Sequence, residues 1–393
     1  MQINLTSPVN PMQQESATHH SQLKRQPLEL QLEGDWLDKP GQAETRAIGT
    51  RPNPECTICG SLGQSLYAGL TDRLFGAPGE WSLKRCPEAA CGLVWIDPIP
   101  LESEIGRAYA GYYTHPASAV NVSRWWDLYY RINYRLKAIH LRTRFGGRGE
   151  RRSVAAILTW IALGPYPPTR ASVEFPMRYL PRPKTGRILE IGFGFGRTIR
   201  QLNELGWDAE GLETDAITVE SARRRGLKVS CGSLSGQNYP NGAFDAIVSN
   251  HLLEHVHDPQ QLLVESRRIL RPGGKFIAAT PNAAGWGHRR FGADWRGLEP
   301  PRHLQIFTPA SITALARRAG FENPTCAASG RGAALIWELS RRLREMGATR
   351  DSSAIGAEPP QRTLQAFVVE TLECLLSPVM PKIAEELILI AEK

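Results

Sequence analysis

Residues 188–196 read Ile-Leu-Glu-Ile-Gly-Phe-Gly-Phe-Gly, and this stretch decides the fold. Three apolar residues around Glu190 predict a short buried strand. Gly192, Gly194 and Gly196 then allow a sharp turn and a close backbone approach to a ligand, where a Cβ would collide. Residues 197–205 continue with helical spacing. A strand, a glycine turn and a helix form the nucleotide-facing corner of a doubly wound α/β sheet. A dinucleotide fingerprint has the spacing G-x-G-x-x-G; here the third glycine comes one residue early, as E-x-G-x-G-x-G.

The chain downstream repeats the strand–helix rhythm. Residues 208–214 (DAEGLET) predict a second strand ending in Glu213, which lies 23 residues after Glu190. An acidic residue about 20 positions past such a turn can accept hydrogen bonds from both ribose hydroxyls. Asp215 competes for that role, its alternative being the N-cap of a helix over 216–225. A third strand is expected at 227–230, and 244–250 (FDAIVSN) reads as a buried fourth. Asp258-Pro259 starts a helix that Arg271-Pro-Gly-Gly274 stops, and 275–281 (KFIAATP) reads as the fifth strand.

The glycine spacing resembles motif I of the class I S-adenosylmethionine (SAM) methyltransferases. The run LLEHVHDP at 252–259 and ILRPGGKFIAATPN at 269–282 resemble that family's later motifs, closest to the subgroup of ubiquinone-type and polysaccharide-associated enzymes. The similarity covers roughly residues 180–325. It implies a Rossmann-like seven-stranded sheet, SAM as cofactor, and contacts to adenine from Ser233 and Leu234. Glu190, Gly192, Gly194, Gly196, Glu213 and Asn250 complete the expected cofactor site. SAM would lie at the carboxyl ends of the parallel strands, with Asn250 and His251 facing the same crevice.

Four of the seven cysteines fall within 36 residues: Cys56-x₂-Cys59, then Cys86-x₄-Cys91. Paired thiols at short spacing in a cytoplasmic protein favour zinc over disulfides. Gly60 and Gly92 follow a cysteine in each pair, as a knuckle turn requires. The segment resembles an amino-terminal zinc ribbon that precedes the methyltransferase domain in some bacterial families, through Cys91-Gly-Leu-Val-Trp-Ile-Asp-Pro98 and Tyr109-Ala-Gly-Tyr-Tyr113. The second knuckle is two residues longer than that pattern, at Cys86. A closed Cys₄ site scaffolds rather than catalyses. Cys231, Cys326 and Cys374 read as packing residues.

Residues 286–308 (WGHRRFGADWRGLEPPRHLQIFT) follow the fifth strand and are expected to form the acceptor pocket, with Trp286, Trp295 and Arg302 as binding residues. Methyl transfer to a hydroxyl needs the acceptor oxygen held in line and a base for its proton. His303 is the first choice and His251 the second. The alternative for His303 is a loop anchor through a backbone hydrogen bond, and His255 and His257 read as cap or loop histidines.

The sequence divides into a tail at 1–50, disordered by composition; a ribbon at 51–100; a helical linker or lid at 101–180; and the SAM-binding domain at 181–393. That domain carries a helical insertion at 331–380, with amphipathic stretches at 333–345 and 364–376 and a loop at 347–362 between them, and an antiparallel last strand at 386–392. His19 and His20 fall in the tail and read as solvated. The aromatic and basic stretch 124–145 suits a packed helix or one that docks on a membrane or lipid-linked substrate, with packing preferred. No run of ~18 apolar residues and no signal-peptide core is present, so a cytoplasmic protein, peripheral at a membrane if anything, is expected. The net charge of +8 permits anionic partners. The fourth strand lacks the D/N-P-P-Y/F signature of base-modifying amino methylases, which disfavours nucleic acid. The expected acceptor is a hydroxyl on a sugar, glycan precursor or small metabolite. A quinone or lipid O-methyltransferase and a non-catalytic SAM-binding scaffold are the alternatives. Oligomeric state is not legible.

Overall fold

The computed structural model describes residues 47–109, 124–145, 166–180, 186–347 and 363–393, with 154 and 159 as isolated positions. The expected disordered tail (apart from 47–50), Tyr112 and Tyr113, and the loop at 348–362 lie outside the described residues.

Strands β1 (Thr50–Arg51), β2 (Gln64–Leu70), β3 (Trp81–Arg85), β4 (Val94–Ile96) and β5 (Ile99–Pro100) make up the cysteine-bearing segment. Helices α1 (Arg124–Phe145) and α2 (Pro167–Glu174) follow. The described end of α1 packs: Leu141 and Phe145 are buried in one apolar cluster with Ile188 and Ile199. Its His140 and Arg144 bind the buried Glu174 of α2 at 3.2 and 2.7 Å.

The α/β unit then runs β6 (Arg187–Ile191), α3 (Arg197–Glu204), β7 (Asp208–Glu213), α4 (Ala216–Arg224), β8 (Val229–Cys231), β9 (Phe244–Asn250), α5 (Pro259–Ile269) and β10 (Leu270–Pro281). After α6 (Trp286–Phe291) and β11 (Gln305–Ile306) come α7 (Pro309–Arg318), β12 (Glu322–Ser329), α8 (Ala333–Met346), α9 (Leu364–Leu376) and β13 (Glu386–Glu392). The seven-stranded sheet has the order β12-β13-β10-β9-β6-β7-β8. Strands β6 to β10 pair in parallel, and β13 is antiparallel to both neighbours. The expected sheet, its antiparallel last strand and both insertion helices are therefore present.

Two expectations change. The fifth strand begins earlier than expected: the helix stops at Ile269 as expected, but β10 starts at Leu270, opposite Phe244, with the Arg-Pro-Gly-Gly run as an irregularity within it. The ribbon is also not a unit of its own. Its β4 pairs with β11, so the order β11-β4-β3-β2 joins segments about 200 residues apart. Cys56, Cys86, Leu93 and Trp95 are buried in the same apolar cluster as Leu189, Phe276 and Ile312. A segment of this size buries too little surface to hold a separate core, so it shares one.

Candidate active site

Register across the sheet sets the site. Ile191 pairs with Leu212 on one side and Ser249 on the other. The next residues, Gly192, Glu213 and Asn250, therefore form a row across the carboxyl edge, with Cys231 and Ala279 extending it. Strands are spaced ~4.8 Å apart, so Glu213 and Asn250 flank the glycine turn about 10 Å from each other. That span suits an extended small molecule lying across the first strand.

The turn has the conformation the glycines allow. Gly192, Gly194 and Gly196 have φ of +73°, +49° and +67°. A Cβ on Gly196 would come within 2.4 Å of Leu227, while one on Gly194 would meet nothing within 4 Å. The middle of the turn thus faces open space. Below it, Glu190 is 3% exposed, and its Oε2 lacks a hydrogen-bond partner. Burial pushes this carboxyl up to about 8, against hydrogen bonds from Thr198 and the Ile199 N–H.

Glu213 is half-buried, and its Oε1 accepts from the Thr214 N–H at 2.8 Å. Asp215 is the N-cap of α4, accepting from the N–H groups of Ile217 and Thr218. The choice between these two acids thus resolves locally: Asp215 is committed to the helix. Ser233 is exposed and accepts from Gly236 N–H at 3.3 Å, whereas Leu234 is buried in the core cluster.

Beyond Asn250 lies a charged network. His251 has φ of +52°, in the left-handed region, and its side chain is 44% exposed. Its Nδ1 lies 3.0 Å from Glu254 Oε1 and its Nε2 2.9 Å from Glu386 Oε1. Partial desolvation lowers the affinity of this ring for a proton, but the two carboxylates outweigh it and hold His251 up at about 9. Arg331 pairs with Glu386 through Nε at 3.0 Å, donates to Asn250 Oδ1 at 2.8 Å, and lies over the Phe175 ring. Burial opposes charge on Glu386, yet Arg331 and His251 keep it below the ordinary carboxylate range. Glu254, Arg331 and Glu386 were not singled out in the sequence. Glu254 stood inside the quoted LLEHVHDP run and could have been found there; Arg331 and Glu386 come from an insertion edge and a strand start.

The segment 286–308 corrects the expected acceptor pocket. Trp295 is 1% exposed; its indole N–H donates to Glu385 and its ring stacks on His288 at 4.8 Å. Arg302 is 0% exposed and binds Glu299 and Asp72, each at 2.9 Å, and the Ala108 carbonyl at 2.8 Å. Trp295 ties this loop to the start of the last strand and Arg302 ties it to the ribbon, so both are bolts rather than acceptor contacts. Trp286 is half-buried, its N–H donating to the Ile383 carbonyl at 3.0 Å. His303 is 5% exposed, and its Nδ1–H donates to the Gly297 carbonyl at 2.7 Å. Burial pushes it down to about 4 despite nearby Glu299. His303 is thus a loop anchor, and His251 is the histidine the fold presents at the strand ends.

The four ribbon cysteines converge. Cys56 and Cys91 sulfurs lie 3.6 Å apart, those of Cys59 and Cys86 3.3 Å, and all four lie within 4.8 Å of one another. The longer second knuckle is absorbed by a turn in which the Cys91 and Gly92 N–H groups both donate to the Glu88 carbonyl. Cys86 therefore reaches the cluster despite the insertion. The donor set and its burial suit a tetrahedral thiophilic ion.

Residues 168–325 match a family model described as a methyltransferase domain. A probable S-adenosylmethionine-dependent methyltransferase of Mycolicibacterium smegmatis is 31% identical over 137 residues, which is 34% of this chain and 51% of that protein. The chain thus spans about half the length of that relative. A ubiquinone biosynthesis O-methyltransferase of Xanthomonas axonopodis pv. citri is 28% identical over 42% of this chain and 75% of its own length. A solved SAM-dependent methyltransferase of Thermotoga maritima overlaps 65% of this chain and 99% of its own at 20% identity, with a TM-score of 0.38. Residues 168–325 thus carry a methyltransferase domain.

Proposed function

We propose that the protein transfers the methyl group of SAM to a hydroxyl oxygen of a small acceptor. The observation that carries this reading is the row Gly192–Glu213–Asn250 at one sheet edge, with His251 next to it. SAM supplies an electrophilic methyl on a sulfonium. The residues fit it: the open glycine turn admits backbone contact, Glu213 suits the ribose hydroxyls, and the unpartnered Glu190 Oε2 suits the amino-acid end. Ser233 stands at the adenine end, and Leu234 serves as packing beneath it. His251, oriented through Nδ1 by Glu254, takes the acceptor proton at Nε2 in its neutral form, after the ring proton that Glu254 and Glu386 hold up has passed to solvent. Trp286 borders the acceptor side. Incubation with methyl-labelled SAM and candidate hydroxyl acceptors should give a labelled, base-stable ether; label found only on nitrogen or carbon would reject the oxygen assignment.

Sugars, glycan precursors and other small hydroxyl metabolites are the acceptor class favoured by the sequence resemblance. A quinone or lipid-linked phenol is the second reading. It is supported by similarity to ubiquinone biosynthesis O-methyltransferases and by α9, where Leu364, Phe367, Val368, Leu372 and Leu375 are exposed. Among the described residues no helix is long and apolar enough to cross a membrane. Liposome-dependent activity would favour the second reading over the first. We also propose that Cys56, Cys59, Cys86 and Cys91 hold a structural Zn²⁺ ion. Near-stoichiometric zinc in protein purified without chelator supports this, and its absence rejects it.

A further inference from the structure

Three side chains that do not touch the reacting atoms in the proposed reaction lie together behind His251. Glu254 and His255 sit on the 3₁₀ turn after β9, and His303 sits in the loop before β11. Each offers one ligand atom, and the three atoms lie within 4.8 Å of one another. The two loops that carry them are stitched by backbone, with Leu304 N–H donating to the Glu254 carbonyl at 2.7 Å. The Gln305 amide adds a bond to the Val256 carbonyl at 2.7 Å.

The protonation pattern of this group is informative. His303 Nδ1–H donates to the Gly297 carbonyl at 2.7 Å. His255 Nδ1–H donates to the Arg302 carbonyl at 3.1 Å, with the Tyr109 hydroxyl 3.0 Å from the same nitrogen. An imidazole whose Nδ1–H is given to a carbonyl has Nε2 available as the ligand atom. Glu254 is 0% exposed; its Oε1 is engaged by His251, and its Oε2 has no hydrogen-bond partner. Glu254, His255 and His303 thus bring one ligand atom each to a common point, and no donor among the described residues satisfies the orphaned Glu254 oxygen. A buried acceptor left unmade costs ~1–3 kcal/mol, more for a charged one. A cation removes this cost. Histidine rings fixed through Nδ1 to backbone carbonyls are also the outer-shell arrangement of metal-binding imidazoles.

We propose that Glu254, His255 and His303 bind a divalent first-row transition ion, separate from the cysteine cluster. Two nitrogens and one carboxylate oxygen suit Zn²⁺, Co²⁺ or Fe²⁺ better than Mg²⁺ or Ca²⁺, which prefer all-oxygen sets. Glu299 Oε2 lies 3.5 Å from His303 Nε2, but Arg296 and Arg302 already neutralise that carboxylate. The ion locks the turn after β9 to the 297–303 loop. It positions His251 through the other oxygen of Glu254, and it does not touch the reacting atoms.

The test is cobalt loading of the chelator-stripped full-length protein, read by stoichiometry and absorption. The expected result is one equivalent of Co²⁺ that shows no thiolate-to-cobalt charge transfer, beside whatever the cysteines bind. His303→Gln should lose that equivalent alone and keep the thiolate bands. Binding confined to a thiolate-type site in the wild-type protein would overturn the proposal. So would retention of the non-thiolate equivalent in a His303→Gln variant with native circular dichroism. Should that variant not fold, X-ray absorption of the wild-type protein decides: nitrogen and oxygen scattering from a share of the cobalt, with or without a sulfur signal beside it, supports the site, and a sulfur-only signal rejects it. None of these readouts depends on methyl transfer, so failure of the proposed function leaves them interpretable.

Discussion

The carboxyl edge of the large sheet and the 286–308 segment were equally rich in candidate residues, yet the fold treats them in opposite ways. At the sheet edge the polar groups face a gap: Gly194 opens on empty space and the His251 side chain is 44% exposed. In the loop the polar groups face each other, with Arg302, Glu299 and Asp72 paired at 0–7% exposure. The difference is one of neighbours. Strand ends in a parallel sheet cannot cover themselves, whereas the loop is covered by the ribbon through β11 and β4. An Arg-His pair beside aromatic residues therefore marks a scaffold here, and a binding wall elsewhere.

The largest expected effect breaks the loop. Arg302→Ala leaves Asp72 a buried carboxylate without its ion-pair partner and Glu299 with Arg296 alone, and should cost ~3–5 kcal/mol, read by denaturant unfolding. Arg302→Lys should not restore it, because one ammonium cannot make the guanidinium's separate bonds. A change below ~1 kcal/mol would mean that Arg302 faces solvent or ligand.

Next comes His251→Ala. Turnover should fall by ~10²-fold or more while SAM affinity changes less than about twofold. A kcat near that of the wild type would remove His251 from the chemistry and return the question to the loop.

A smaller effect concerns the buried carboxylates beside that loop. Burial, then the neighbouring Glu385 carboxylate, raises Glu373 above the ordinary range, and burial also raises Glu385. The folded state then holds a proton that the unfolded chain has already lost. Stability is therefore full at acid pH and falls as pH rises above the ordinary carboxylate value near 4.5. Glu373→Gln should flatten that fall in a series of thermal unfolding curves; an unchanged slope would show that Glu373 is already ionised in the fold.

Much of this molecule was legible in its sequence, because strand and turn signals are local. The glycine turn, the strand over 244–250, the last strand and both insertion helices were read within a residue or two. The cysteine spacing likewise led to the converging sulfurs. What could not be read depends on pairing between distant segments. Arg331 and Glu386 reach Asn250 and His251 only because β13 lies between β12 and β10. His303 and Arg302 became anchors only because β11 joined the ribbon sheet. Exposure, which separates a base from a bolt, is a property of that assembly and not of the residue type.

The account rests on SAM lying across the row Gly192–Glu213–Asn250. Calorimetric titration of SAM into the wild-type protein and Glu213→Ala tests this most directly. We predict one site per chain in the wild type and a loss of at least ~10-fold in affinity on losing the ribose acceptor, with the fold intact. Equal affinity in the two proteins would contradict the placement.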